Sequence, residues 1–311
     1  MNRRLIVKIL KAKHENFLES ITDEKVKKLV AENSIITGGA IASMLLNEKI
    51  TDFDYYFLNQ ETVEEVAKYY VKKFNEAHPD LDIPPVVRVR GNRVDIYVKS
   101  AGVVSGAGDD DYQYFENLPD EVGQTYFEKT VAAADEENAE HMETMDKKDE
   151  KDKYRPVFLS SNAITLSDKV QLVIRFHGTP EEIHKNYDFI HCCNYWTAHD
   201  NKIVLHPAAL ESLLCKHLQY QGSLYPLCSV IRTRKFLKKG WYINAGQYLK
   251  MCFQLSELDL TDINVLEEQL TGVDAAYFHQ VIAYCRKKQT EDPEFKVTAP
   301  YLISIIDKIF G

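Results

Sequence analysis

Two aspartates one residue apart, Asp52 and Asp54, lie in the apolar run TDFDYYFL, residues 51–58. Positions i and i+2 of a strand share a face, so this spacing turns both carboxylates to one side and Phe53 to the other. Paired carboxylates on a rigid strand can hold divalent cations, which clamp a triphosphate and activate an attacking hydroxyl. Upstream, Gly38-Gly39 closes the short apolar run 34–37 and opens the run AIASMLLN, residues 40–47. Bare backbone between a strand and a helix offers N–H groups and a positive helix end to phosphate oxygens. No G-K-[ST] follows the glycines and they do not fit G-x-G-x-x-G, which excludes a P-loop and a dinucleotide loop. His177, His184, His191 and His217 show no acid–base spacing, and Ser43 and Ser161 have no triad partners in the pattern.

The elements that must position these groups follow from periodicity. Residues 14–33 read as one helix with Phe17, Leu18, Ile21, Val26 and Leu29 on its apolar side. Residues 34–37 form a strand, 40–47 a helix, 51–58 a strand and 61–75 an amphipathic helix. Pro84-Pro85 breaks the chain, and residues 86–90 and 93–99 alternate around Gly91-Asn92 as a hairpin. Further on, residues 157–166 and 170–176 read as a second strand pair. Thr179-Pro180-Glu181-Glu182 opens a short helix, and DFIHCCNYW, residues 188–196, reads as a strand. From Pro207 onward the pattern is mostly helical. The expected fold is α+β: a mixed sheet flanked by helices as the catalytic domain, residues 1–206, followed by a C-terminal helical domain, residues 207–311.

Composition sets bounds. The chain has 311 residues, 45% of them apolar, with 18 Tyr and 14 Phe, enough to bury a core. No apolar run is long enough to span a bilayer, and the basic N-terminus lacks a signal-peptide core, so the expected place is cytoplasm, a host's cytoplasm if the source is viral, with no membrane partner. Six cysteines without C-x-x-C spacing read as reduced core thiols, and His191-Cys192-Cys193 is poorly spaced for zinc. The net charge of −9 is uneven. Residues 101–153 hold 16 acidic residues and five lysines, a net −11, which leaves +2 for the rest. That stretch reads as a mobile insertion interrupting the catalytic domain, with a short helix near 123–134. Between Glu211 and Glu257 there is no acid, while Lys216, Arg232, Arg234, Lys235, Lys238, Lys239 and Lys250 all lie there. Such a segment suits phosphate or a solvated face equally.

The string Ile36-Thr37-Gly38-Gly39-Ala40 followed by Asp52-Phe53-Asp54-Tyr55, with twelve residues between Gly39 and Asp52, resembles the glycine-pair and D-x-D signature of the DNA polymerase beta-like nucleotidyltransferase superfamily. The segment 161–196 is similar to uncharacterised nucleotidyltransferase-like proteins of large bacteriophages and large DNA viruses. The resemblance implies that Asp52 and Asp54 bind Mg²⁺ or Mn²⁺ and that Gly38 and Gly39 contact the phosphates of a nucleoside triphosphate. It also implies a third carboxylate on a neighbouring strand. Asp188 is preferred for that role and Asp95 is the alternative. Lys216, Arg232 and Lys235 are then the candidate phosphate contacts. The expected reaction moves a nucleoside monophosphate from a nucleoside triphosphate to an acceptor hydroxyl of RNA, a tRNA 3′ end being one option, or of a protein. The alternative is a catalytically inactive module that binds nucleotide, nucleic acid or a protein partner.

Overall fold

The computed structural model describes residues 2–81, 83–98, 103–104, 153–270, 276–292 and 294–310. Most of the acidic stretch, including the helix expected near 123–134, lies outside them. By contacts the chain divides into Met1–Ala107 with Lys153–Gln254, and Gly108–Asp152 with Leu255–Gly311. Residues 207–254, read from the sequence as the start of a second domain, group by contact with the sheet.

In the first unit the helical stretch expected at 14–33 is two helices, α1 (Arg3–Glu19) and α2 (Glu24–Asn33). The break has a local cause: the Asp23 side chain accepts from the Val26 N–H and starts a new helix. Ile6, Leu10, His14 and Phe17 make the buried stripe of α1. There follow β1 (Ser34–Thr37), α3 (Gly39–Leu46), β2 (Phe53–Phe57), α4 (Gln60–Ala77) and the hairpin β3 (Val86–Arg90) and β4 (Arg93–Tyr97). Next come β5 (Val103–Val104), β6 (Pro156–Leu159), β7 (Ala163–Leu166) and β8 (Val170–His177). The run expected as one strand at 157–166 is thus a hairpin, β6 and β7. A short helix, α5 (Pro180–His184), carries a full capping box between Thr179 and Glu182.

The run 188–196 is not one strand. Asp188 sits in a bend, Phe189 bridges Tyr220, Ile190–Cys192 is a 3-10 turn, and only β9 (Tyr195–Thr197) joins the sheet. The unit continues through β10 (Lys202–Val204), α6 (Pro207–Cys215), α7 (Pro226–Lys238) and α8 (Ala245–Ser256). In the second unit, α9 (Ile263–Leu270), α10 (Ala276–Glu291) and α11 (Ala299–Phe310) bury Ile263, Leu266, Cys285 and Ile305, and Arg286 pairs with Glu267.

The main sheet has eight strands in the order β10-β9-β1-β2-β8-β7-β6-β5. It is mixed: β2 and β8 are parallel and the other neighbours antiparallel. On its rear face Ile36, Phe53, Tyr55, Phe57, Leu172 and Ile174 pack with α1, α2 and α4 in the main core. On the front face Ile35, Tyr56 and Ile183 form a smaller cluster with Val173 and Tyr187. A third cluster joins Ala42 of α3 to Phe189, Leu213, Tyr220, Trp241 and Met251, which seats α6 to α8 beside the front face.

Of the six free cysteines, Cys193, Cys228 and Cys285 are buried, but Cys215 and Cys252 are exposed rather than core thiols. Among the described residues no helix is long and apolar enough to cross a membrane.

Three histidines give the fold a pH dependence. Burial holds His14, His184 and His191 down at about 4, against about 6.5 in an unfolded chain. Between those values the unfolded chain takes up protons that the folded chain refuses. Stability is therefore full above pH ~6.5 and falls as pH drops toward ~4, by at most ~3 kcal/mol per histidine. Thermal unfolding at neutral pH and near pH 5 measures this: the midpoint should drop at the lower pH, and equal midpoints would contradict it.

Candidate active site

Strand β1 runs antiparallel to β2 with Thr37 opposite Asp54, so the glycine pair emerges beside the second aspartate. Gly38 has φ 86 and ψ −147 and donates its N–H to the Cys192 carbonyl at 3.2 Å. A Cβ at Gly38 would stand 2.7 Å from Asp54 Oδ2 and 3.5 Å from the Tyr187 hydroxyl. Only glycine permits both the backbone angle and this approach. Gly39 is the first residue of α3, and no side chain caps that helix. Its leading N–H groups and partial positive charge thus emerge beside Asp54.

A hydrogen-bond relay fixes this corner. Thr37 Oγ1 donates to the Asn194 carbonyl at 2.9 Å and lies 2.8 Å from His184 Nε2. With its one proton on Asn194, Thr37 accepts from His184, so His184 carries its proton on Nε2. The Tyr187 ring stands 5.0 Å from that of His184 and 6.0 Å from that of Tyr56. Burial first, then the charge of Asp54, pushes the Tyr56 phenol far above its usual range. The Cys192 thiol is likewise pushed up, by burial first, then by Cys193, Asp54 and Asp188, with Lys235 opposing. Asp54, Asp188 and Lys235 therefore all lie within electrostatic reach of the half-buried Cys192.

Asp52 is half-buried, and its Oδ1 accepts from Thr51 Oγ1 at 2.7 Å. Asp188 is buried: its Oδ2 accepts from Arg232 Nη1 at 2.5 Å, while its Oδ1 is buried without a partner. A buried carboxylate stripped of its cation is costly. Arg232→Gln should lower stability on the order of 1–3 kcal/mol, and adding Asp188→Asn should restore much of the loss. Urea unfolding reads both, and a double variant no more stable than the single would count against the pairing.

Two residues singled out from the sequence are paired elsewhere, and a third is engaged by Asp188. Asp95 is buried in the β3–β4 hairpin between Arg88 Nη2, at 2.6 Å, and Arg90 Nη2, at 3.0 Å. Lys216 pairs with Glu48 at 3.5 Å, past the far end of α3 from Gly38 and Gly39. That helix is about 12 Å long, so Lys216 is not brought to the glycines. Arg232, expected on phosphate, is engaged by Asp188. Lys235, one helical turn on, is exposed.

The strand beside β2 brings no carboxylate level with the pair, since Gln171 of β8 is the register partner of Asp54. Among the described residues no three His, Cys, Asp or Glu side chains stand close enough to hold a metal. The donors nevertheless suit a divalent ion in part: Asp54 lies on β2, Asp52 directly precedes that strand rather than lying in it as expected, and the Asp188 Oδ1 is unsatisfied. The sequence reading missed Thr37, His184, Tyr187 and Gln171. Thr37 was signalled only by its place before the glycines, and Gln171 only through the parallel register.

Residues 8–216 match the profile of Gad2, described as the Gabija anti-defense 2 family protein. The chain belongs to the Gad2 family. No curated protein matches this Gad2-family chain. Among solved structures it is similar to the Thermotoga maritima CCA-adding enzyme complexed with tRNA_CCA, at 12% identity and a TM-score of 0.35, covering 92% of this chain and 57% of that one. A CCA-adding enzyme in its apo form I gives 11% identity, a TM-score of 0.33 and coverage of 92% and 56%. The Gad2-family chain thus spans little more than half the length of those enzymes.

Proposed function

We propose that this Gad2-family chain is a metal-dependent nucleotidyltransferase, and that its activity serves the countering of Gabija defence denoted by the family name. The acceptor oxygen forms a bond to the α-phosphorus of a nucleoside triphosphate, the bond from that phosphorus to the bridging oxygen breaks, and pyrophosphate leaves. The observation that carries this reading is the bare Cα of Gly38 held against the Asp54 carboxylate at the uncapped start of α3. That corner joins a cation-holding group to an anion-holding one, as a metal-bound triphosphate requires.

Asp52 and Asp54 would hold Mg²⁺ or Mn²⁺, which when bound would supply charge neutralisation on the triphosphate and lower the acceptor hydroxyl's pKa. Asp188, which does not stand within metal-sharing distance of the pair in this arrangement, would join it on metal binding as the third carboxylate, through the oxygen that Arg232 leaves unbonded. The N–H groups from Gly39 onward hold phosphate oxygens, and Lys235 adds a cation. His184 and Tyr187 position Thr37 and with it the glycine turn.

The test supplies labelled nucleoside triphosphates with Mg²⁺ or Mn²⁺ to the full chain, together with total cellular RNA and protein. Label entering either fraction, and absent with Asp54→Asn, supports the reading. No transfer with any nucleotide, alongside metal-dependent nucleotide binding in a thermal shift, favours a binding module instead. Gln171 opposite Asp54, where a carboxylate would complete the pair, speaks for that second reading.

A further inference from the structure

The β3–β4 hairpin turns one face to the core and the other away from it. Its inward residues, Val94 and Ile96, are fully buried, and Val87 packs against the same core. Its other face follows from the register, in which Arg88 stands opposite Asp95, Arg90 opposite Arg93 and Val86 opposite Tyr97. Directly opposed residues of an antiparallel pair share a face, so three guanidiniums, one carboxylate and one phenol lie together.

Asp95 is the only acid in that set, and two arginines share it. Burial alone would raise its carboxyl, but hydrogen bonds from Arg88 and Arg90 outweigh this and hold it below the ordinary range. Asp95 thereby fixes two guanidinium forks while neutralising one charge. Both forks remain open to solvent, 42% and 60% exposed. Arg88 also lies over the Tyr97 ring, 4.7 Å from its centroid.

Arg93 is placed among like charges. It faces Arg90 across the hairpin, and desolvation, then the charge of Arg175, pull its guanidinium below the usual value. Its Nε is buried without a hydrogen-bond partner. Like charges directly opposed across a sheet are destabilising, so an anion placed between Arg90 and Arg93 would relieve a cost that the charge of Asp95 offsets in part.

Arg175 connects this cluster to the candidate active site. It lies where β8 breaks register with β2, between Leu172 and His177, and its neighbours Val173 and Phe176 both pack in the front-face cluster. Its Nη2 donates to the Tyr225 hydroxyl at 2.8 Å, at the start of the helix whose Arg232 holds Asp188. Four residues of chain put Arg175 no more than about 13 Å from Gln171.

We propose that Arg88, Arg90, Arg93 and Arg175 form a phosphodiester-binding track that holds the backbone of a nucleic-acid acceptor, with its 3′ end directed to Asp54. The inference rests on the nucleotidyltransferase reading and chooses its acceptor: a nucleic-acid strand rather than a protein side chain. Guanidinium forks match phosphate oxygens two at a time, and an exposed Tyr97 offers a base a stacking surface.

Fluorescence anisotropy of end-labelled single-stranded RNA, and of DNA of the same sequence, on the full chain at several salt concentrations tests this. Arg90→Gln leaves Asp95 paired with Arg88, and Arg93→Gln leaves Asp95 both of its hydrogen-bonding arginines, so both should melt close to the wild type. Each should weaken strand binding about tenfold and lower the salt slope by about one. Arg93→Lys, keeping the charge, should retain the slope. Stabilisation by Mg²⁺ with a nucleoside triphosphate should be unchanged in all three.

Wild-type strand affinity and slope in the Arg90→Gln Arg93→Gln double variant would overturn the track, as would nucleotide transfer to protein alone. The two readings fail separately. Transfer lost with Asp54→Asn but strand binding indifferent to the arginines removes only the track. Strand binding lost with the arginines, but no transfer by the wild type, removes only the enzyme.

Discussion

Asp54→Asn should lower nucleotidyl transfer by about a hundredfold to a thousandfold, or more, while leaving the protein at least as stable as the wild type. The substitution keeps shape and removes charge. A single preorganised group that stabilises transition-state charge is worth about 2.7–4 kcal/mol, and a metal-holding carboxylate is at least as demanding. The stability half follows from the surroundings. Asp54 raises the phenols of Tyr56 and Tyr187 and the thiol of Cys192, so its charge is held among groups that themselves resist ionisation. Asparagine keeps the shape of the side chain and an accepting oxygen, so the packing of the corner is retained. Initial rates of pyrophosphate release with an RNA acceptor, set beside thermal midpoints, give both halves. A variant keeping more than a tenth of the rate would remove Asp54 from the centre of the reaction.

Gly38→Ala should cost both stability and activity, and Gly39→Ala should not cost stability. The backbone of Gly38 lies in a region open to glycine and closed to other residues, where a side chain costs ~1–3 kcal/mol. Its Cβ would also stand 2.7 Å from Asp54 Oδ2, so the carboxylate must move or the turn must open. At Gly39 a Cβ meets nothing within 4 Å, and alanine is the better helix former by up to ~1 kcal/mol. Gly39→Ala should therefore melt at or above the wild-type temperature, yet bind Mg²⁺ and nucleoside triphosphate less tightly if phosphate lies against that backbone. Urea unfolding and nucleotide titration separate the two effects. A Gly38→Ala variant as stable as the wild type would contradict the strain.

The order of elements around the candidate site was legible because it is local. A strand, two glycines, a helix and a D-x-D strand occupy residues 34–57, where periodicity and turn chemistry act over neighbours. The mixed sheet, the flanking helices and the β3–β4 hairpin were legible for the same reason. Asp188 was read onto a strand because Phe189, Ile190, Tyr195 and Trp196 make an apolar run, and short apolar runs do not distinguish a strand from a tight turn. The break between α1 and α2 was visible in Asp23 but outweighed by the continuing apolar stripe. The pairing of Asp188 with Arg232, the salt bridge that takes Lys216 to Glu48, and Gln171 beside Asp54 depend on which elements meet in space. No spacing in the chain encodes them.

The Thr37 relay reaches His184 across 147 residues and Asn194 across 157. During synthesis, a ribosome that has finished the glycine turn and both aspartates has therefore made a corner with nothing to brace it. The turn waits for His184, for the Cys192 carbonyl, and for Arg232 to neutralise Asp188. Contacts this distant along the chain slow folding and leave early strands with open edges. The nascent chain should thus stay silent toward nucleotide until α7 has emerged, and then acquire its pocket in one late step.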